Sequence, residues 1–422
     1  MNDQEFVAPR NPLEREIASI WSELLKVDRI GIHDDFFASG GDSIQAAIFI
    51  NKLKLRLGEV IHVATLFRAP TIAEFATYVQ TDYSDAVEAM FGNVTRSNAD
   101  HHDQPRIDEA SVEALQRSVI SLEPPPAETT QKNPRAVFVL CSPRSGSTLL
   151  RVMLAGNPNL FVPPEIELLN FNTMRERDEA FVGPEQFLGE GFVRALMQVR
   201  CCGVGDAQRT VEELVQSNAS TKEAFALLQS GIDKRILVDK TACYALDPEI
   251  LKRAESNFDE PLFIHILRNP CGMIHSFNQV RLDQVFFRYP TTFSTRELAE
   301  LVWNVSQRNI LHFLEAIPQN RQLRITFEDL VNQPEQSMQG LCQFLQIPFD
   351  TGMLNPYEPA DWKMLDGTSQ HSQMQGDPKF HEHSSVDPRV AERWKSEFDS
   401  RSLGNVTRDL AQQLGYSVRT DT

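Results

Sequence analysis

Residues 141–150 are the stretch whose types and spacing most clearly indicate chemistry. They read Cys-Ser-Pro-Arg-Ser-Gly-Ser-Thr-Leu-Leu and follow the apolar run Ala136–Leu140. The pattern predicts a strand, a loop and the start of a helix. Gly146 and the small hydroxyl residues allow backbone N–H groups at a helix N-terminus to approach an anion, which the helix dipole also favours. The stretch therefore predicts a site for a phosphorylated ligand.

The loop differs from the Walker A motif of nucleoside triphosphatases. That motif is G-x-x-x-x-G-K-[ST], in which the lysine reaches the terminal phosphates and the hydroxyl holds Mg²⁺. Here Cys141 occupies the first glycine position and Ser147 the lysine position, and the cation of the loop is Arg144. The sequence disfavours a nucleoside triphosphatase, and a P-loop nucleotide kinase is kept as an alternative.

The segment instead resembles the 5′-phosphosulfate loop of sulfotransferases that use 3′-phosphoadenosine 5′-phosphosulfate (PAPS). The resemblance implies a binding role for the residues from the loop cation to the first helical turn, namely Arg144, Ser145, Gly146, Ser147 and Thr148. It also implies an α/β domain of the P-loop type and a reaction of the EC 2.8.2 type.

Two downstream segments are similar to the parts of sulfotransferases that perform the chemistry. Phe-Val-Pro-Pro-Glu at 161–165 matches the segment that carries a catalytic glutamate, which implies that Glu165 is the base, with Glu167 as the alternative. Asp-Lys-Thr at 239–241, followed by Tyr244, resembles the motif D-K-[TS]-x-x-Y, which implies that Lys240 works in the active site. Together with Arg144, these residues form the expected catalytic set.

Two further segments are similar to the parts of sulfotransferases that clamp the 3′-phosphate of PAPS and cover the nucleotide. Arg268 follows a strand-like run, and Pro270 can begin a helix that carries Ser276 within its first two turns. Residues 376–383 resemble the nucleotide-covering G-D-W-K-x-H segment, with proline in place of the tryptophan, which implies a binding role for Lys379. His381 and His383 have an i, i+2 spacing without a third ligand, so no metal site is predicted, and assistance in proton transfer is left open.

The first eighty residues contain a separate motif at Ser43. Phe-Phe-Ala-Ser-Gly-Gly-Asp-Ser at 36–43 precedes a helical stretch, and taken alone Asp42 and Ser43 are helix caps. With a preceding Trp-containing helix at Pro12–Leu25 and Leu-Phe-Arg-Ala-Pro-Thr-Ile at 66–72, however, the segment resembles the peptidyl carrier domain of nonribosomal peptide synthetases. The resemblance implies that Ser43 receives 4′-phosphopantetheine, with a phosphopantetheinyl transferase as partner.

The elements that must position these residues follow from periodicity. Strand-like runs at 136–140, 236–238, 262–267 and 323–326 alternate with helical stretches, which predicts a parallel sheet flanked by helices. Arg144, Lys240 and Arg268 each follow one of these runs. Because ligands bind beyond the carboxyl ends of parallel strands, the three cations are expected in one crevice.

Composition limits the remaining possibilities. The chain has 422 residues, a formal charge of −17 and no apolar run of membrane-spanning length, which disfavours nucleic-acid and membrane binding and predicts a cytoplasmic protein. Residues 81–130 carry 3 basic and 10 acidic side chains and a Pro-Pro-Pro run, as is typical of a linker, with one possible helix around Val112 and Leu115. With this acidic linker at 83–131, the two resemblances imply an all-α four-helix carrier bundle at 8–82 and a sulfotransferase domain at 132–420.

The hypothesis from the sequence is a carrier-coupled, PAPS-dependent sulfotransferase of natural-product biosynthesis. Its expected acceptor is a hydroxyl of an acyl or peptidyl group tethered to phosphopantetheine, and N-sulfonation of a tethered amine is the nearer alternative. A kinase, or an inactive docking module fused to a carrier, represents a different class. The expected partners are upstream and downstream assembly-line modules, with a separate thioesterase for the route in which the sulfate is later eliminated.

Overall fold

The structure is a computed structural model that describes residues 6–91, 106–119, 131–285, 292–365, 368, 380 and 383–417. It divides into two compact units. The first comprises residues 1–105 together with 279–287, and the second comprises 106–278 together with 288–422. Within the described ranges, no helix is both long and apolar enough to cross a lipid bilayer.

The first unit is a helical bundle around an aromatic core. The Trp21 ring centroid lies 4.9 Å from that of Phe36 and 5.8 Å from that of Phe49, and all three side chains are fully buried. The helices are α1 (Pro12–Leu25), α2 (Ser43–Leu57), α3 (Ala64–Arg68), α4 (Ile72–Asp82) and α5 (Ser84–Phe91). The predicted helical carrier region is confirmed, and α5 is an element that the sequence analysis did not include.

A segment from much later in the chain completes this first unit. Gln284 is 4% exposed, and its side-chain oxygen accepts hydrogen bonds from the His62 N–H (2.8 Å) and the Thr65 hydroxyl (3.2 Å). Its amide nitrogen donates to the Tyr83 hydroxyl at 2.5 Å. Arg281 donates to Asp82 at 2.7 Å and lies over the Tyr83 ring. A buried polar network therefore joins sequence positions about two hundred residues apart.

The second unit is built on a five-stranded parallel sheet, which confirms the predicted α/β class. The strands are β1 (Ala136–Leu140), β2 (Leu160–Phe161), β3 (Ile236–Asp239), β4 (Leu262–Leu267) and β5 (Gln322–Thr326), in the order β2-β3-β1-β4-β5. Every residue of β1 and β4 is buried, as expected for strands that are covered on both faces. The four predicted runs are all strands, and the two-residue β2 was not predicted.

Helices connect these strands and supply the rest of the core. They are α6 (Glu109–Ser118), α7 (Ser147–Ala155), α8 (Met174–Ala180), α9 (Glu190–Arg200), α10 (Val204–Gln216), α11 (Thr221–Ser230), α12 (Pro248–Asn257), α13 (Pro270–Gln279), α14 (Thr295–Glu315), α15 (Phe327–Asn332), α16 (Pro334–Leu345) and α17 (Asn405–Gln413). The helix expected within the linker is α6. It buries Val112 and Leu115 and packs against α14, and Glu109 accepts hydrogen bonds from Arg308.

Candidate active site

The loop between β1 and α7 has an unusual backbone conformation. Gly146 is the N-cap of α7 with φ +81°, and a Cβ atom there would lie 2.2 Å from Cδ2 of Phe327. Both facts require glycine at this position. Arg144 also has a left-handed φ of +61°. No side chain of the described residues caps α7, so its first-turn N–H groups are available to an anion at the helix N-terminus.

Short side chains hold the loop together from within. The hydroxyls of Ser142 and Ser145 lie 2.9 Å apart, and both residues are fully buried. Ser147 and Thr148, the first residues of α7, are also buried. Burial raises the pKa of the Cys141 thiol to about 11, so this cysteine remains protonated at neutral pH. The loop is therefore a packed element of the second unit.

The structure brings Arg144 and Arg268 together, as the strand pattern predicted, and Ser276 of α13 lies beside them. Nε of Arg144 donates to the Ser276 hydroxyl at 3.1 Å, and Arg268 donates to the Arg144 carbonyl at 2.7 Å. The Arg268 guanidinium lies 4.3 Å from the centre of the Phe327 ring. Its own carbonyl accepts from the Trp303 indole N–H at 3.1 Å. Arg268 is thus fixed from both sides and in turn fixes the backbone of the loop.

Glu165 and Lys240 form a direct ion pair in the same region. Lys240 directly follows β3, its side chain is 2% exposed, and its ammonium group contacts the carboxylate of Glu165, whose side chain is 24% exposed. The charges of both groups also act on Cys141, the first residue of the loop. The pair therefore lies close to the loop between β1 and α7, and the carboxylate of Glu165 is partly exposed.

Glu167 is in a different environment from Glu165. It has φ +53° and is 4% exposed. Its carboxylate accepts a hydrogen bond from the Asn170 amide and contacts the Cys243 sulfur at 3.2 Å. Of the two carboxylates, Glu165 is the more exposed, whereas Glu167 is buried and bonded to its neighbours.

Arg151 is a site residue that the sequence analysis did not include. It is 1% exposed on α7, and its guanidinium donates to the carbonyls of Val162 (3.3 Å) and Lys363 (2.9 Å). Burial lowers its pKa to about 10, an effect that the nearby charge of Glu165 opposes. Arg151 thereby ties the segment before Glu165 to α7. The available signal was a charged residue inside an otherwise apolar helix.

The second unit matches a known protein family over all five strands. Residues 134–351 match the Sulfotransferase family. The chain belongs to the sulfotransferase family. A solved sulfotransferase domain from the curacin biosynthetic pathway is 38% identical, with a TM-score of 0.63 over 68% of this chain and 100% of that domain. A second, from the Synechococcus PCC 7002 olefin synthase, is 36% identical, with a TM-score of 0.62 over 69% of this chain and 98% of that one.

The first unit of this sulfotransferase carries its own family match. Residues 15–79 match the Phosphopantetheine attachment site family, whose cofactor is 4′-phosphopantetheine. Surfactin synthase subunit 3 from Bacillus subtilis (strain 168) is 44% identical over 97 residues, which are 23% of this chain and 7% of that protein. Malpinin synthetase from Mortierella alpina is 49% identical over 76 residues, which are 18% of this chain and 1% of that protein. The likeness to both relatives is therefore confined to one small part of each.

Ser43 of this sulfotransferase is the first residue of α2. The preceding Asp42 is the N-cap, whose side chain accepts from the Gln45 N–H at 2.8 Å while the Gln45 side chain accepts from the Asp42 N–H at 3.0 Å. Gly40 has φ +99°, and a Cβ on Gly41 would lie 2.4 Å from the Phe36 ring. The two glycines therefore allow the turn that places Ser43 at the start of a capped helix.

The structure describes only part of the predicted segment at 376–383. Lys379 and His381 lie outside the residues that the structure describes, so their predicted roles stay predictions. His383 is described, and its ring lies 6.2 Å from that of Tyr357.

Proposed function

We propose that this sulfotransferase moves a sulfuryl group from PAPS to a hydroxyl of an acyl or peptidyl group tethered to phosphopantetheine, on Ser43 or on a neighbouring carrier. One observation carries the proposal: the partly exposed carboxylate of Glu165 contacts the buried Lys240 close to the glycine loop, in a chain that also contains a phosphopantetheine attachment segment. The pair of Glu165 and Lys240 suits acid–base chemistry on an alcohol. The phosphopantetheine attachment segment suits delivery of that alcohol.

The loop residues fit an anionic nucleotide. The N-terminus of α7 lacks a side-chain cap within the described chain, and Arg144 lies in the loop two residues before the N-cap Gly146. The loop amides, with Ser145, Ser147 and Thr148, would hold the 5′-phosphosulfate, and Arg268 with Ser276 would hold the 3′-phosphate. When bound, PAPS supplies the sulfuryl group. Charge-assisted hydrogen bonds of this kind are stronger than neutral ones, so a few cations suffice in a chain of net charge −17.

The protein groups then perform two tasks. Glu165 accepts the proton of the acceptor hydroxyl as the new oxygen–sulfur bond forms and the bond from sulfur to the leaving phosphate oxygen breaks. Lys240 and Arg144 stabilise the negative charge that develops on the equatorial oxygens and on the leaving oxygen, which departs as part of adenosine 3′,5′-bisphosphate. Because Lys240 is buried, its charge acts through a medium of low polarity and is screened less than a surface charge.

The relatives support an assembly-line setting for this reaction. The two similar sulfotransferase domains come from the curacin pathway and from an olefin synthase, and the carrier relatives belong to surfactin synthase and malpinin synthetase. We extend this setting to the present chain, with domain limits of 8–82 and 132–420. A phosphopantetheinyl transferase and adjacent modules are the partners that this setting implies, and a separate thioesterase would join them only in a route that later eliminates the sulfate.

Intact-mass spectrometry of the loaded protein tests the proposal. The full chain would be loaded at Ser43 with 3-hydroxybutyryl-phosphopantetheine or with its 3-amino counterpart, and incubated with PAPS. We expect a gain of one SO₃ group on the hydroxy substrate and release of adenosine 3′,5′-bisphosphate. A gain on the amine alone would replace O-sulfonation by N-sulfonation. No gain on either substrate, with PAPS intact, would refute the proposed transfer.

A further inference from the structure

A buried hydrogen-bond relay leads from the end of β3 to the segment that carries Glu165. The Tyr244 hydroxyl donates to Oδ2 of Asp239 at 2.9 Å, and Oδ1 of Asp239 accepts from the Thr241 hydroxyl at 3.0 Å. The backbone N–H groups of Leu168 and Leu169 both donate to the Tyr244 oxygen, at 3.1 and 3.2 Å. Asp239 and Tyr244 are 1% and 2% exposed. The Tyr244 hydroxyl thus connects Asp239, at the end of β3, to the two consecutive amides of Leu168 and Leu169.

The two amides follow a strained residue. Glu167 has φ +53°, a conformation that costs a non-glycine residue of order 1–3 kcal/mol and persists only where neighbouring contacts hold it. Consecutive N–H groups after a left-handed residue form a concave nest that favours a negative atom. Here the nest is filled by the phenol oxygen, whose hydroxyl points its proton to the Asp239 carboxyl. The relay therefore compensates the strain at Glu167.

The same strand end also holds Glu165 directly. Lys240 is the next residue after Asp239 and contacts the Glu165 carboxylate. The segment that includes Glu165 is thus fixed at two points: its side chain by Lys240, and its backbone three and four residues later by Tyr244. Burial raises the pKa of Tyr244 well above its ordinary value, so the phenol keeps the proton that it donates.

We propose that Tyr244 is a positioning residue that sets the place of Glu165 through the Leu168 and Leu169 amides, with Asp239 orienting its hydroxyl. The inference rests on the proposed role of Glu165 as base. Tyr244 itself is not expected to touch either substrate. Its loss should slow the proton-transfer step and leave nucleotide binding unchanged, because the Tyr244 hydroxyl bonds Asp239 and the Leu168 and Leu169 amides, which are not among the groups proposed to hold the nucleotide.

The test uses the full-length protein loaded at Ser43 with the 3-hydroxybutyryl probe, and the variants Tyr244→Phe, Glu165→Gln and the double variant. Tyr416→Phe is the matched control, since it removes another phenol–carboxylate bond, at 2.9 Å from Glu328, and leaves the Leu168 and Leu169 amides bonded. Three quantities are measured: the single-turnover rate, the affinity for adenosine 3′,5′-bisphosphate by calorimetry, and amide hydrogen exchange over residues 165–170.

We expect Tyr244→Phe to slow turnover by about 10–100-fold, to keep the nucleotide affinity within about twofold and to speed exchange at Leu168 and Leu169 by about tenfold or more. In the Glu165→Gln background, the same change should cost less than about twofold, since residues that act through one group are not additive. Tyr416→Phe should leave the exchange at Leu168 and Leu169 unchanged.

Unchanged exchange at these amides, or losses that multiply in the double variant, would overturn the positioning role. The base assignment is tested separately by the single Glu165→Gln variant. If that variant keeps the wild-type rate, Glu165 is not the base and Tyr244 does not act through it, while exchange still reports whether Tyr244 holds the segment. If it loses turnover and Tyr244→Phe does not, only the positioning role is wrong.

Discussion

Replacing Gly146 by alanine is the sharpest test of the loop geometry. The backbone there has φ +81°, where a Cβ costs about 1–2 kcal/mol. The added Cβ would also lie 2.2 and 2.7 Å from two carbons of the Phe327 ring, so the ring must move, at an overpacking cost of about 1–3 kcal/mol. The sum is about 2–5 kcal/mol of unfolding free energy. Phe327 also supports Arg268 at 4.3 Å, so displacement of the ring should disturb the clamp for the nucleotide.

Gly415 provides the matched control for this change. It has φ +93° in the same unit, and a Cβ there would meet no atom within 4 Å. Gly415→Ala should therefore show the backbone cost alone, and its affinity for adenosine 3′,5′-bisphosphate should be unchanged. We expect Gly146→Ala to lower the denaturant midpoint further than Gly415→Ala does. It should also weaken nucleotide binding by about tenfold or more in calorimetry, which corresponds to the loss of one charge-assisted hydrogen bond. Equal behaviour of the two variants in both assays would refute the close packing of the loop on Phe327.

Three further predictions concern separate parts of the molecule. Glu165→Gln should cut single-turnover sulfuryl transfer by about 10²–10⁴ with nucleotide affinity nearly unchanged, and an equal loss for Glu167→Gln would show that the wrong carboxylate was chosen. Gln284→Ala should destabilise the first unit by about 2–4 kcal/mol, because buried partners of Gln284 lose their hydrogen bonds, and faster amide exchange at His62 would report it; unchanged exchange would contradict the network. Burial raises the pKa of Asp239 to about 7, so the folded state binds more protons than the unfolded chain between about pH 4 and 7, and stability should fall as pH rises through that window. Asp239→Asn should flatten this dependence in denaturant titrations, and an unchanged slope would contradict the shift.

The sequence analysis predicted the elements whose patterns are local. The apolar runs identified four of the five strands. Because Arg144 and Arg268 each follow one of these runs, the sequence also predicted that they would lie close together, and they do. Strand β2 could not be found in this way, because two residues carry no periodicity. Its membership in the sheet depends on pairing with β3, a long-range contact.

The residues that support the site from behind could not be predicted from a sequence pattern either. Arg151 binds the carbonyls of Val162 and Lys363, and the second lies more than two hundred positions away. The role of Tyr244 depends on a left-handed residue at Glu167, which has no side-chain signature. The motif around Lys240 includes Tyr244, but it does not indicate which groups form hydrogen bonds with the Tyr244 hydroxyl. In both cases the missing information is tertiary, since it is the fold that aligns these donors and acceptors.

Transfer of label from [³⁵S]PAPS to the full chain tests the central claim most directly. The wild-type protein, loaded at Ser43 with the 3-hydroxybutyryl probe, should acquire label that thioester cleavage releases with the acyl group and that phosphodiester hydrolysis releases with the whole acyl-phosphopantetheine arm. Ser43→Ala, which cannot be loaded, should remain unlabelled, although a separately loaded carrier added to it should be sulfonated. Label on Ser43→Ala itself, or none on either carrier while adenosine 3′,5′-bisphosphate accumulates, would contradict a carrier-coupled sulfotransferase.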